Sequence, residues 1–515
     1  MDNPALNQQV KVIAVGAAGL LLAVYLGNQI GSENYGELIL GAVVIIVASI
    51  GLFTGRFFWV LTIASSSLAG TFPILGGSFT PFQILMAMGV AKFLIEDIVL
   101  KRTKLNVGTR FDALLIAGFM GILTWHGVHD RFGMKFLGSS VWGGRSYINV
   151  FVGLAAFFVI QSIPMSPKLW AKLPYVVLGV SGFDLMITVI TTIFPASIYK
   201  IYPFYSAVSR TGIEEIVTGG PGDTTRLGSV GNFGTLLITL ILARISLRQI
   251  LHLSNLPRLI MAIFGFLAVL FSSFRSSVVS TMTVVFVAGI RDLKWAVLAL
   301  LPLLALILFG LSVVNSEFIT LPKQFQRSLA FVPGKWDTDA AQDVTSSNDF
   351  RTRIWTIWRR EYFPKHPIFG RGFGFESSWG EISTLRYDPY ADVQMVETGN
   401  LHNGFFSTVD CFGIVGTIFF IIWNLRLLIR AFGVSFQKND PTGIALRFLA
   451  LSLATSIIFY WISALSVGTF LPSEFAIAAV FLRLLQTIES QRISHPSSHR
   501  SVNEEIHEEI ALRSA

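Results

Sequence analysis

The sequence predicts an all-α fold, a polytopic transmembrane helical bundle of about 12–14 spans with one large extracytoplasmic loop between late spans. Three observations carry that prediction. Of 515 residues, 52 % are hydrophobic and only 14 % are charged, and the mean hydropathy is +0.63, far from the composition of a water-soluble domain. Apolar stretches of roughly 17 to 25 residues, each able to cross about 30 Å of hydrocarbon as a helix, recur from end to end. The long polar interruption at 315–403 ends in the dipeptide His402-Asn403, just before apolar sequence resumes.

Taken in order, candidate spans fall at 11–27, 37–54, 57–75, 81–99, 112–128, 147–163, 174–195, 231–250, 257–273, 276–290, 295–314, 404–430, 443–465 and 469–487. The first run, Val12 to Leu26, has the length of a signal sequence, but no small-residue cleavage site follows and another span begins soon after. It reads as a retained first helix. The pair flanking Phe274 and Arg275 is short and tightly connected, the pattern of broken or partial helices. Thr80-Pro81-Phe82 has the form of a helix start. Four regions follow: N-terminal spans over 1–314 with an outer loop near 196–230, the large loop 315–403, C-terminal spans over 404–488, and a polar tail at 489–515.

Orientation follows from the short loops, because cytoplasmic loops retain Lys and Arg. With the N-terminus inside, the inner loops carry Arg56, the cluster Lys101, Arg102, Lys104 and Arg110, then Lys168, Lys172, Arg248, Arg258, Arg291, Lys294, Arg430, Lys438 and Arg447. The net charge of +8 is therefore read as topology and not as nucleic-acid binding. The C-terminal tail is then cytoplasmic and the 315–403 loop extracytoplasmic. Arg131, Lys135 and Arg145 break the pattern on an outer loop, where anion binding is one reason to keep a cation. Cys411 is the single cysteine, which excludes intrachain disulfides and cysteine metal clusters.

On this topology Arg226, Arg275, Arg351, Arg353 and His402 all lie at the outer face, although they come from separate parts of the chain. Arg275 sits in the turn Ser272-Ser-Phe-Arg-Ser-Ser between two apolar helices. Two readings stand: an interfacial residue that snorkels, or a guanidinium that grips phosphate oxygens in two-pronged fashion. The stretch from Asp349 to Phe363 reads as an amphipathic helix capped at Asp349 or a preceding Ser/Asn, whose Trp355, Trp358 and Tyr362 suit a headgroup boundary. Gly370-Arg-Gly-Phe-Gly lacks the Gly-Lys-Ser/Thr ending of a phosphate-cradling loop, so nucleotide binding is set aside. His402 directly precedes a span and should cap it, either as a structural group or as an acid–base catalyst. Asp184 lies mid-span, and is read either as a functional intramembrane acid or as the structural partner of Arg244.

The order of these features resembles a known family. Arg275 between two helices, Arg351/Arg353 before a Trp-rich helix, His366-Pro-Ile-Phe-Gly-Arg-Gly, then His402-Asn403 and Gly413-Ile-Val-Gly416, is similar to the O-antigen ligase and polysaccharide polymerase superfamily over roughly residues 226 to 420. Departures are Phe274 where the family often has Ser, Cys411 where it often has an acid, and the lack of a Pro-Asn near the segment Arg226 to Gly234. Asp410 adjoins the expected acid but would face about 100° away on a continuous helix.

The resemblance implies a metal-independent membrane glycosyltransferase without cofactor in the bacterial inner membrane. It would take an undecaprenyl diphosphate-linked glycan donor and a glycan acceptor, either a lipid-linked repeat or lipid A core. By that resemblance Arg275 and Arg351 or Arg353 hold the donor diphosphate, Arg226 assists, and His402 is the base. Arginines can replace a divalent ion in stabilising a diphosphate leaving group, and a histidine titrates near ambient pH. The competing readings are a transporter or flippase of lipid-linked saccharides and a non-catalytic assembly component. Ligase and polymerase share these residues, and the number of spans leans slightly toward a polymerase.

Overall fold

The computed structural model describes residues 55–68, 70–74, 77–94, 106, 108–129, 141–163, 166–201, 205, 226–376, 391–434, 440–463 and 467–494. The spans expected at 11–27 and 37–54 lie outside the described residues, as do Arg131, Lys135, most of 196–230 and the end of the tail. The rest is an all-α bundle. Its helices are α1 (Phe57–Ala64), α2 (Pro81–Phe93), α3 (Arg110–His129), α4 (Gly144–Ser162), α5 (Leu173–Ile193), α6 (Gly228–Arg244), α7 (Leu256–Phe271), α8 (Arg275–Leu293) and α9 (Leu300–Val313). The long polar stretch contributes α10 (Lys323–Leu329), α11 (Thr338–Ile357) and α12 (Ala391–Glu397), and the chain ends with α13 (Gly404–Gly433), α14 (Pro441–Ser463) and α15 (Val467–Ser494). Two minimal antiparallel ribbons complete it: β1 (Phe72–Ile74) with β2 (Gly77–Phe79), and β3 (Val141–Trp142) with β4 (Phe375–Glu376).

Among the described residues, seven helices are long and apolar enough to cross a membrane, and a bent pair, Arg275–Ala299 with Pro302–Phe318 at 72°, adds an eighth when taken as one span. The expected spans 276–290 and 295–314 correspond to that bent pair. The expected span 57–75 is corrected: the helix ends by Ser67 and the chain turns into β1 and β2. The cause is local. The hydroxyls of Ser65, Ser66 and Ser67 each donate to the carbonyl three residues back, at 2.7 Å, giving the backbone an alternative to further helix. At α2 the start read from Thr80-Pro81 is a full capping box, with Thr80 Oγ1 accepting from the Gln83 amide and Gln83 Oε1 from the Thr80 amide.

Packing follows lipid logic. One face of α7 exposes Leu256, Ile260, Met261, Phe264, Leu267 and Phe271, as expected where hydrocarbon is the solvent. The interior is aromatic, with Phe119, Phe412, Phe420, Trp423, Tyr460 and Phe475 buried in one cluster between α3, α13, α14 and α15. Polar contacts tie the helices together: Gln161 Nε2 donates to Ala479 O at 2.8 Å, joining α4 to α15, and Arg426 Nε binds Asp112 at 2.5 Å, joining α13 to α3. The Asp184–Arg244 pair does not form. Tyr205 donates to Asp184 at 2.8 Å, while Arg244 turns outward to the Tyr175 hydroxyl at 2.7 Å and lies over that ring.

The described residues of the 315–403 stretch, 315–376 and 391–403, form a folded cap. Its main helix begins at Thr338, eleven residues before the expected Asp349, because Asp337 accepts from the Asp339 amide and stops the preceding coil. Its aromatic side also faces differently from the expectation. Ile354 and Trp358 pack on Val396, Leu401 and Val409, and the Trp355 and Trp358 indoles donate to Leu401 O (2.7 Å) and Asp410 Oδ1 (2.9 Å). These tryptophans anchor the cap to α13.

Candidate functional site

The site starts at the turn between α7 and α8. Ser272 closes α7 by donating to Val269 O at 2.7 Å, Ser273 takes a left-handed φ of 61°, and Phe274 is extended, so that Arg275 becomes the first residue of α8. The Leu227 amide donates to Ser272 O at 2.9 Å, which ties the start of α6 to this turn and brings Arg226 beside Arg275. Phe274, a departure from the family pattern, lies under the Arg226 guanidinium with 5.9 Å to the ring centroid.

Both arginines reach over to the cap. Asp343, on the first half of α11, accepts from Arg226 Nη2 at 3.0 Å, from Arg275 Nη2 at 3.2 Å and from Arg327 Nε at 3.3 Å. Arg327 comes from α10, whose Ser328 hydroxyl donates to Leu270 O at 2.8 Å and fastens that helix against α7. Burial raises the Asp343 pKa, but the Arg327 hydrogen bond and the charges of Arg327, Arg226 and Arg275 more than offset it and hold it below the ordinary carboxylate value. Asp343 is an ionised anion encircled by three guanidinium groups.

Arg351 lies two turns further along α11, about 12 Å by helical rise. It is half-buried, and its charge acts on Arg275 on one side and on His402 on the other. Arg353 points elsewhere. It binds Asp392 of α12 at 2.6 Å, is well exposed, and has its pKa raised by that hydrogen bond. Arg351 is therefore the member of the pair that joins the cluster.

His402 does not cap α13. Asn403 does so, accepting from the Phe406 amide at 3.1 Å, while His402 stands one residue earlier with φ 50°. Its ring meets Phe350 edge to face at 5.8 Å. Burial, and after it the Arg351 charge, lower its pKa below the usual 6.5. The imidazole is thus held neutral near pH 7, the form that accepts a proton.

A second construction supports the first. The helix α13 breaks at Gly413, whose φ of 63° and ψ of −171° fall where side chains are not tolerated, and residues 366–374 fill the break. The amides of Arg371 and Gly372 donate to Asp410 O (2.9 Å) and Cys411 O (3.0 Å), and those of Ile414 and Val415 donate to Pro367 O (2.9 Å) and Ile368 O (3.1 Å). The carbonyls and amides freed by the break are satisfied in this way. Arg371 Nε grips Asp410 at 2.9 and 3.0 Å, and Arg371 also donates to the carbonyls of Val396 and Glu397. Asp410 is thus the carboxylate that holds Arg371, one residue before Cys411 and on the helical side of the break at Gly413.

Arg327 and Asp343 were not singled out by sequence. Arg327 looks like any cation of a polar loop, no different from Arg359 or Arg360, and Asp343 announces itself only by lying eight residues before Arg351, on a helix that begins earlier than expected.

A multi-pass helical membrane protein with a folded polar cap, an arginine cluster and an adjoining neutral histidine defines a class that can handle lipid-borne anions at the bilayer surface. The family model described as O-antigen ligase matches residues 260–421, so that segment is similar to the O-antigen ligase and polymerase superfamily. The match includes Arg275, Arg327, Asp343, Arg351, Arg353, Arg371, His402 and Asp410; Arg226 lies before it. No curated protein matches the chain. Membrane glycosyl transfer of the O-antigen ligase or polymerase type, with lipid-linked glycans as substrates, is the activity this family carries in general.

Proposed function

We propose that the protein is a metal-independent glycosyltransferase that moves a glycan from an undecaprenyl diphosphate-linked donor to a hydroxyl of a sugar acceptor, at the outer face of the bacterial inner membrane. The observation that carries this reading is the gathering of Arg226, Arg275 and Arg351 from three elements onto one side of the cap, with Arg351 next to a histidine whose surroundings favour its neutral form.

In the reaction the acceptor oxygen attacks the anomeric carbon of the donor sugar, and the bond from that carbon to the diphosphate oxygen breaks. The electron pair leaves on the lipid diphosphate, and the hydroxyl proton passes to a ring nitrogen of His402. Arg226, Arg275 and Arg351 meet the charge that grows on the leaving diphosphate, where fixed guanidinium groups at a partly desolvated site act without reorganising. His402 contributes as base or as an orienting acceptor, an effect of roughly 10²–10⁴ in rate for a well-placed group. Arg353, engaged with Asp392, serves the cap's structure in this reading.

Glycan transfer by the purified protein with lipid-linked donor tests the proposal. His402→Ala is expected to lower turnover by about two to four orders of magnitude with donor affinity retained, and Arg275→Ala to weaken donor binding. Full activity of His402→Ala would remove the base, and loss of activity on adding a chelator would remove the metal-free assignment. Movement of lipid-linked saccharide across liposomes without any new glycosidic bond would replace the enzyme with a transporter. In a deletion strain, single repeats left on carrier or acceptor identify a polymerase, and long chains left on carrier lipid identify a ligase.

A further inference from the structure

Asp343 occupies a peculiar position. It is the carboxylate on which guanidinium groups from three elements close, and each of those groups reaches it at 3.0 to 3.3 Å. Two of the three, Arg226 and Arg275, come from the bundle side and one, Arg327, from the cap. Arg327 engages both carboxylate oxygens, with Nε on Oδ2 and Nη2 on Oδ1 at 3.3 Å each, and Arg226 reaches both as well, at 3.0 and 3.4 Å. Arg226 does so with Nη2 alone, whereas the two-nitrogen fork of Arg327 has the same geometry with which arginine takes a phosphoryl group. The carboxylate side chain is about a quarter exposed, so it stands at the rim of the cluster and not in its floor.

We infer that Asp343 is an exchangeable counter-ion of the donor site, which holds Arg226, Arg275 and Arg327 in place until the donor diphosphate takes over their hydrogen bonds, and that Arg327 is a further diphosphate-binding residue. This rests on the reading of the cluster as the donor site. The exchange needs no bond to be made or broken. A diphosphate offers more acceptor oxygens and more charge than one carboxylate, so it can replace Asp343 at three guanidinium groups at once. Asp343 is also carried by the cap while Arg226 and Arg275 belong to the bundle, so the exchange loosens one tie between the two parts as it forms another through the ligand.

The inference separates from a merely structural role by the sign of one effect. A counter-ion competes with the ligand, so removing its charge tightens binding; a strut that only positions the arginines loosens binding when removed. The measurement is titration of the purified full chain, in nanodiscs, with farnesyl diphosphate as probe, and melting curves check that each variant is folded. Asp343→Asn is expected to bind the probe several-fold tighter than the wild type. Arg327→Ala and Arg327→Lys are expected to bind it weaker, with the lysine variant in between because it keeps the charge and loses the fork. Weaker binding by Asp343→Asn would overturn the counter-ion role, and unchanged binding by Arg327→Ala would overturn the assignment of Arg327. Phosphatidylglycerol supplies a second lipid-borne phosphoryl group. Tightening toward nanodiscs rich in that lipid, without tightening toward farnesyl diphosphate, would overturn the donor-specific exchange. If the wild type and every variant fail to bind the probe, the donor site itself is lost and this inference with it, an outcome distinct from a wild type that binds and an Asp343→Asn variant that does not gain.

Discussion

At the scale of single residues, the site is governed by what surrounds His402. Burial is the larger influence on its pKa and the Arg351 charge the smaller, and both favour the neutral ring. A base with a lowered pKa is deprotonated, and so competent, above that value and loses function as pH falls through it. The acid limb of the kcat/KM profile, which reports the free enzyme, is therefore expected below pH 6.5. Arg351→Gln removes the smaller influence and is expected to move the limb upward, though not past 6.5, since burial remains. An unmoved limb would place the titrating group elsewhere. The residue scale is also where the sequence was most informative. Arg275 and His402 are visible because they are polar groups at the edges of apolar runs, and charge counting assigns them one side. Choosing between Arg351 and Arg353 was beyond it, since two residues on a helix differ by about 200° in direction and only the position of Asp392, 39 residues after Arg353, shows which one is already engaged.

At the scale of elements, the construction that sets the site is the break in α13. His402 and Asn403 lie only a few turns from Gly413, and residues 366–374 run from the end of α11's aromatic turn into that break. Gly370, with φ 77°, comes so close that a Cβ there would meet the Gly413 amide at 2.5 Å, and a Cβ on Gly413 would meet the Ile368 carbonyl at 2.2 Å. Gly413→Ala must therefore both leave a glycine-only conformation, roughly 1–3 kcal/mol, and displace backbone. Arg371→Ala would strand Asp410, 3 % exposed, without its cation, a loss of about 3–5 kcal/mol for a buried pair broken on one side. Both variants are expected to melt well below the wild type in detergent, with Arg371→Met, which keeps bulk but not charge, no better than Arg371→Ala. A melting temperature unchanged in both would mean that the clasp does not hold the cap. Sequence shows the glycines here as a turn-rich run and shows α13 as one clean span. What it hides is that the two belong together, because a helix interrupted by an inserted loop keeps its apolar composition throughout, and composition is all that a hydropathy pattern reads.

At the scale of the whole molecule, the remaining question is which side of the bilayer the cap faces, and charge is the argument that addresses it. The connections between α6 and α7 and between α8 and α9, with the helix ends that flank them, carry Arg248, Arg258, Arg291 and Lys294, whereas the cap follows the far end of α9. If basic loops stay in the cytoplasm, the cap and the arginine cluster are outside, where a donor already flipped across the membrane would meet them. The chain lends itself to a direct test, because its single cysteine, Cys411, is buried and 3 % exposed, so native background labelling is low. A cysteine introduced at Thr352, exposed on α11, is expected to react with a membrane-impermeant maleimide added to intact spheroplasts. One introduced at Gln249, exposed in the connection after α6, is expected to react only once the membrane is opened. Both side chains are exposed and their hydrogen bonds are local, Thr352 to Asn348 O and Gln249 from the Ser246 amide, so the two substitutions report sidedness. The reverse pattern would put the cap in the cytoplasm, and it would do so without touching the match to the O-antigen ligase family; what it would remove is the outer-face donor, since a site on the cytoplasmic side meets lipid-linked saccharides before and not after their translocation.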